Sequence, residues 1–298
     1  MIRFIVIGFG RMGRLHYRAL KQITDVSVQA VCDPSPDEAP VEPIFLSFDD
    51  LIKNTDFDAA VIASPSRHHA AMAQHLIRMG KHLLIEKPVA VNLPELRELH
   101  TASTGAPVQT CTSFTERFNP VIQALRERIR NQNIMSITIN RTGPYSPKKA
   151  HDGVLLDLAV HDIDLSRFLT EDEFARIEIE IKSKAHNGIT DMADIRMMTS
   201  RDKRIRLRAE WHSQLKIRRI KIRTASCTYC GDLINLRLTQ RSSTNENPVT
   251  VDVFEEPVLA QMRAFVEYIR TGVAKNIATL DDGIKAIEAL SPVLKTSE

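Results

Sequence analysis

Asp157, His161 and Asp164 lie in one run, Leu-Leu-Asp-Leu-Ala-Val-His-Asp-Ile-Asp over residues 155 to 164, which contains no glycine or proline. Read as an α-helix, the run puts Asp157 and His161 four residues apart on one face, with Asp164 one turn beyond. Imidazole titrates near neutral pH, and a neighbouring carboxylate can orient its ring and hold its proton, so the pair is equipped for general acid–base chemistry. The plain alternative is an amphipathic helix whose polar face is solvated. A third polar group, Lys87, stands in Glu86-Lys87-Pro88 directly after an apolar run over residues 82 to 85. In open α/β sheets ligands bind at the carboxyl ends of strands, and a lysine there can hydrogen-bond a hydroxyl and favour its deprotonation.

The same placement recurs at the start of the chain. Residues 2 to 7 form a short β-branched run, and Gly8-Phe9-Gly10-Arg11-Met12-Gly13 follows at once, ahead of a helical stretch over residues 14 to 22. The glycines of this G-x-G-x-x-G pattern play separate roles: Gly8 allows the tight turn, Gly10 the approach of backbone to a pyrophosphate, and Gly13 the packing of helix on strand. Residues 26 to 31 read as a second strand, and Asp33 comes 20 residues after Gly13. An acid there accepts hydrogen bonds from a ribose 2′-hydroxyl and repels a 2′-phosphate, so the expected cofactor is NAD rather than NADP.

Strand and helix patterns then alternate: helix over residues 48 to 53, strand 59 to 63, helix 68 to 79, strand 82 to 85, helix 93 to 103, strand 108 to 114. Such alternation means a parallel sheet with helices on both faces. Four prolines within residues 34 to 43 deny that segment a long helix. The second half differs. Strands are expected over residues 177 to 183, 193 to 199, 205 to 211, 217 to 223 and 233 to 238, and helices over 256 to 271 and 280 to 290. The expected division is a dinucleotide-binding domain over residues 1 to 118 and a substrate and oligomerisation domain over 119 to 298, with residues 143 to 149 as a proline- and lysine-containing lid.

With 43% hydrophobic and 26% charged residues the chain has an ordinary globular composition, and its net charge is only +3. Basic residues crowd residues 201 to 223, however, and suggest two neighbouring strands, 204 to 212 and 216 to 223, with alternating exposed cations facing an anionic substrate or a subunit partner. Beyond the single Trp211, no aromatic interleaving accompanies them, which speaks against nucleic acid. Cys227 and Cys230 have the spacing of a zinc or redox pair, but no second ligand pair accompanies them, so all four cysteines are read as reduced thiols and no metal is expected. No apolar run approaches a membrane span or a signal-peptide core; the expectation is a cytoplasmic protein.

Gly8 to Gly13, Asp33, Ser64-Pro65 followed by His69, Glu86-Lys87-Pro88, and Asp157 with His161 together resemble the glucose-fructose oxidoreductase / inositol dehydrogenase (Gfo/Idh/MocA) family over essentially the whole chain. The resemblance implies an α/β protein: an N-terminal Rossmann domain followed by a C-terminal α+β domain with a large, mostly antiparallel sheet. That sheet is commonly used to form dimers or tetramers. It also implies that Lys87, Asp157 and His161 gather around a hydroxyl being oxidised, and that Gly8, Phe9, Gly10, Arg11, Met12, Gly13, Asp33, Ser64, Pro65, His69, Glu86 and Lys87 hold NAD. Glu116-Arg117-Phe118-Asn119-Pro120, Arg141 to Tyr145 and the stretch from Asp157 to Asp164 resemble members that oxidise the 3-hydroxyl of UDP-N-acetylglucosamine or its uronic acid. For such a nucleotide sugar Arg117, Asn119, Arg141 and Tyr145 join Lys87, Asp157 and His161 as substrate contacts, with an internal ion pair as the alternative for Arg117 and a helix-end salt bridge as the alternative for Asp164.

Overall fold

The computed structural model describes residues 1–145, 152–184 and 189–294. Two compact units emerge, residues 1–115 with 255–285, and residues 116–254 with 286–293.

In the first unit the expected alternation is realised as β1 (Ile2–Ile7), α1 (Arg11–Leu20), β2 (Val26–Cys32), β3 (Ile44–Phe45), α2 (Phe48–Asn54), β4 (Ala59–Ile62), α3 (His69–Arg78), β5 (His82–Glu86), α4 (Leu93–Ser103) and β6 (Thr110–Ser113). The strands pair in parallel in the order β6-β5-β4-β1-β2-β3. Both faces are covered, which is why β4 and the central part of β1 are buried at every position and read as unbroken apolar runs. Residues 34 to 43 are not helical, as their prolines require; the segment is tied to α1 by Tyr17 and Lys21 on Glu42 and by Arg14 on Asp37. Gly8 adopts φ +90°, and a Cβ at Gly13 would stand 1.8 Å from the Gly8 carbonyl oxygen. The turn therefore closes only with glycine at both places.

The second unit begins in a 3-10 turn, Thr115–Phe118, and continues as α5 (Pro120–Ile129), β7 (Ile134–Pro144), a π-helical turn (Leu155–Ala159), α6 (Val160–Thr170), β8 (Phe174–Lys184), β9 (Thr190–Thr199), β10 (Arg204–Glu210), β11 (His212–Thr224), β12 (Thr228–Asp232), β13 (Arg237–Arg241) and β14 (Glu246–Val249). Its eight strands run in the order β14-β13-β12-β11-β7-β10-β9-β8, antiparallel except for the β7/β10 pair. The two basic strands are thus not neighbours. β7 lies between them, so Ser136, Thr138 and Asn140 separate Arg204, Arg206 and Arg208 from Arg223, Lys221 and Arg219 on the exposed face. The strand expected over residues 233 to 238 is also displaced. Asp232 accepts the amides of Ile234 and Asn235, Leu236 takes a positive φ, and a turn joins β12 to β13 instead.

After β14 the chain returns to the first unit with α7 (Pro257–Thr271), β15 (Ala278–Thr279) and α8 (Leu280–Glu288). Phe265 of α7 meets Phe4 edge-on at 6.0 Å, and β15 adds antiparallel to β6. Residues 255–285 therefore cluster with the dinucleotide-binding fold rather than with the second domain, where their place in the sequence puts them; the apolar face of α7 is matched by β1 and α1, a pairing that sequence order does not reveal.

Gly13→Ala should cost at least about 2 kcal/mol, because the collision is with backbone rather than with a flexible side chain. Denaturant unfolding reads this directly, and an unchanged midpoint would mean that the Gly8 carbonyl can move aside.

Candidate functional site

In the first unit, the residues expected to hold a dinucleotide stand at the carboxyl ends of β1, β2, β4 and β5. Helix α1 begins at Arg11, so Gly10 is its N-cap, offers no side chain to the first-turn amides, and is followed by no acidic residue in that turn. A Cβ on Gly10 would enter open space. Unsatisfied amides, positive helix end and open cradle together suit a pyrophosphate. Asp33 accepts the amides of Phe9 at 2.7 Å and Ser35 at 2.9 Å, which pins its carboxylate beside the glycine turn, where the ribose reading requires it. The residues present thus fit a dinucleotide.

Glu86 and His69 serve the scaffold. Glu86 is buried and accepts from Ser113 at 2.7 Å, with His16 Nε2 also 2.7 Å away. Burial pushes its carboxyl up, but the His16 contact and Ser113 outweigh this and leave it below the ordinary carboxylate range. The Glu86 carboxylate is thus engaged with His16 and Ser113 inside the fold. His69 bridges the Pro88 and Ser64 carbonyls at 2.8 and 2.7 Å, joining the turn after β4 to the turn after β5. Between these fixed points Lys87 is half-buried, and its peptide bond to Pro88 is cis.

In the second unit the helix carrying Asp157 and His161 is not a plain α-helix. Asp157 sits in the π-helical turn and His161 in α6, so the wider turn replaces the i, i+4 α-helical spacing. Nor is the polar face wet. Of the eleven residues of α6 only His161 escapes burial. Asp162 and Asp164 are fully buried, and Asp157 is 5% exposed.

Burial of Asp162 and Asp164 is possible because each meets a guanidinium. Arg117 holds Asp164 through two bonds of 2.9 and 2.5 Å and stacks on Phe168. Arg141, 1% exposed, donates to Asp162 at 2.9 Å and to Glu116 at 2.9 Å, and Glu116 also accepts from Arg218 at 2.5 Å. Burial raises the Asp162 carboxyl. For Glu116 burial acts in the same direction, but Arg141 and Arg218 overcome it and hold the carboxyl below its ordinary range.

Three residues expected to contact substrate have partners within the protein. Arg117 and Arg141 are committed to internal carboxylates, and Asn119 caps α5 through Val121 while donating to the Leu233 carbonyl. Tyr145 is exposed, with its ring 5.7 Å from Trp211; the rest of the expected lid, residues 146 to 149, lies outside the described residues. Glu116, Asp162 and Arg218 were missed as members of this cluster. One signal was available, since Arg141 shares the parity of Ile137 and Ile139 and so had to point inward.

Residues 2–113 match the oxidoreductase family with an NAD-binding Rossmann fold, and residues 122–226 match the Gfo/Idh/MocA C-terminal domain. The chain belongs to the Gfo/Idh/MocA oxidoreductase family. Its cofactor is NAD. Inositol 2-dehydrogenase of Rhizobium meliloti is 29% identical over 65% of this chain and 62% of its own. UDP-N-acetylglucosamine 3-dehydrogenase of Acidithiobacillus ferrooxidans is 28% identical over 64% of this chain and 60% of its own. The matched region thus spans about three fifths of these curated relatives. A crystal structure of the latter enzyme, GnnA, superimposes with a TM-score of 0.87 at 24% identity, covering 97% of this chain and 96% of that one, and shows the same fold. Among the described residues no helix of this family member is long and apolar enough to cross a membrane.

Because the Glu116 carboxyl lies below its ordinary value, its contribution is present above that value and lost as pH falls through the lowered one. Glu116→Gln should be about 3 kcal/mol less stable than wild type near neutral pH. The gap in melting temperature should close as pH drops below the ordinary carboxylate range, and a gap independent of pH would contradict the charged role of Glu116.

Proposed function

We propose that the chain oxidises a secondary hydroxyl of a sugar or polyol ring, with Lys87, Asp157 and His161 handling the hydroxyl. The observation that carries this reading is the contrast within α6: ten residues are sealed in the interior and the one left accessible is an imidazole. Lys87 donates a hydrogen bond to the reacting hydroxyl oxygen, and His161 takes its proton, or the two roles are reversed. Asp157, one turn earlier, orients the imidazole and offsets the charge it gains. When bound, NAD supplies the acceptor for the hydride that leaves the carbinol carbon.

The finer reading is that the substrate is a UDP-N-acetylhexosamine or its uronic acid, oxidised at the 3-hydroxyl. Its support is the 28% identical dehydrogenase of that specificity and the half-exposed Arg218. A second reading, an inositol-like polyol, is favoured by the loss of Arg117 and Arg141 as free counter-charges and by the 29% identical inositol dehydrogenase. Self-association through the second unit's sheet belongs to the same proposal, and the cations of β10 and β11 on its exposed face make it dependent on ionic strength.

Lys87→Ala and His161→Ala should each lower kcat for NAD reduction at least about 100-fold, while calorimetric NAD binding stays near wild type. Near-normal turnover by both variants would sink the catalytic assignment. A screen of UDP-N-acetylglucosamine, its uronic acid, glucose and inositol, read by NADH absorbance, chooses between the substrate readings. Sedimentation should show a dimer or tetramer that changes with salt, and a monomer at every salt concentration would overturn the sheet-mediated assembly.

A further inference from the structure

Strand register separates Arg218 from the other cations of residues 201 to 223. Arg204, Arg206, Arg208, Arg219, Lys221 and Arg223 alternate onto the exposed face, whereas Arg218 shares the inward parity of Ile220 and Ile222. Its Nη1 joins Arg141 on the same oxygen of Glu116. The two guanidiniums nonetheless differ. Arg141 is buried and committed to Glu116 and Asp162, while the Arg218 side chain is 40% exposed and has Glu116 as its one hydrogen-bond partner among the described residues. Its remaining N–H donors are open. Burial and then Arg141 hold Arg218 below its ordinary value, opposed by Glu116, Asp162 and Asp157. Arg141 continues from the shared Glu116 oxygen to Asp162, the residue after His161, so the open donors lie two ion pairs from a residue assigned to the reacting hydroxyl.

Sharing one oxygen of Glu116 with Arg141 engages only one nitrogen of the Arg218 fork. A partly desolvated guanidinium with open donors gains most from a second anionic acceptor, and its planar fork matches carboxylate and phosphate oxygens. We propose that Arg218 binds an anionic oxygen of the substrate, a sugar carboxylate or a nucleotide phosphate, and so selects anionic sugars over neutral polyols. This rests on the assignment of Asp157 and His161 to the reacting hydroxyl. Arg218 is a specificity residue and takes no proton; Glu116, fixed by Arg141, sets the direction of its fork.

The test is calorimetric titration of the NADH-loaded protein with three probes: UDP-N-acetylglucosamine for phosphate, glucuronate for carboxylate, and myo-inositol as the neutral ring. Arg218→Gln should weaken at least one anionic probe about tenfold or more and leave inositol within about twofold; whichever anionic probe is lost identifies the source of the oxygen. Arg218→Lys should fall between, and Arg219→Gln, on the opposite face, should match wild type. Should Arg218→Gln fail to fold, the comparison of Arg218→Lys with wild type carries the same expectation. Equal weakening of all three probes, unchanged affinities, or no anionic probe binding to the wild type would overturn the proposal. NADH formation is measured in parallel. Loss of anionic binding in Arg218→Gln without turnover by any protein would sink the hydride-transfer reading and leave Arg218 standing, whereas turnover with unchanged affinities would do the reverse.

Discussion

Arg141 is the contact on which the second unit's polar interior depends. Its guanidinium, supplied by β7, reaches Asp162 of α6 and Glu116 of the 3-10 turn at 2.9 Å each, and so joins three elements far apart in sequence. Without it Asp162 would be stranded in a low-dielectric interior, at a cost of several kcal/mol, and Glu116 would keep Arg218 alone. A pair of apolar residues could fill the same space at little loss of stability, so the ion pairs are better understood as fixing one arrangement of α6. That arrangement seals Asp162 and Asp164 inside and leaves His161 partly exposed.

The π-helical turn belongs to the same arrangement. An additional residue per turn over Leu155–Ala159 changes the direction of Asp157 relative to the α-helix that follows. The wider turn lets the direction of Asp157 be set separately from the rotation of α6. A regular α-helix through residues 155 to 170 would have to satisfy both with one rotation.

In the first unit the constraint is steric rather than electrostatic. Gly8 and Gly13 approach so closely that a single Cβ would part them, and this contact brings the N-terminus of α1 up to the end of β1. Around that turn polar contacts hold the neighbouring strand ends: Asp33 on the Phe9 and Ser35 amides, His69 on the Ser64 and Pro88 carbonyls, Glu86 on Ser113 and beside His16. Lys87 is thus set on a turn whose flanks are fixed.

Much of this was legible in the amino-acid order, because it depends on local periodicity. Continuous apolar runs gave the parallel strands, the glycine spacing gave the turn and the cofactor, and proline density removed a helix from residues 34 to 43. What tertiary structure alone decided is which charges are free. Arg117, Arg141 and Arg218 look alike in sequence; only strand order and packing show the first two spent on Asp164, Asp162 and Glu116, and the third with donors left over. The same holds for α7, placed with β1 by the meeting of Phe4 and Phe265. A side chain's local spacing determines its direction, but its partners come from residues dozens to hundreds of positions away, and whether a cation can meet a ligand depends on whether such a partner has already taken it.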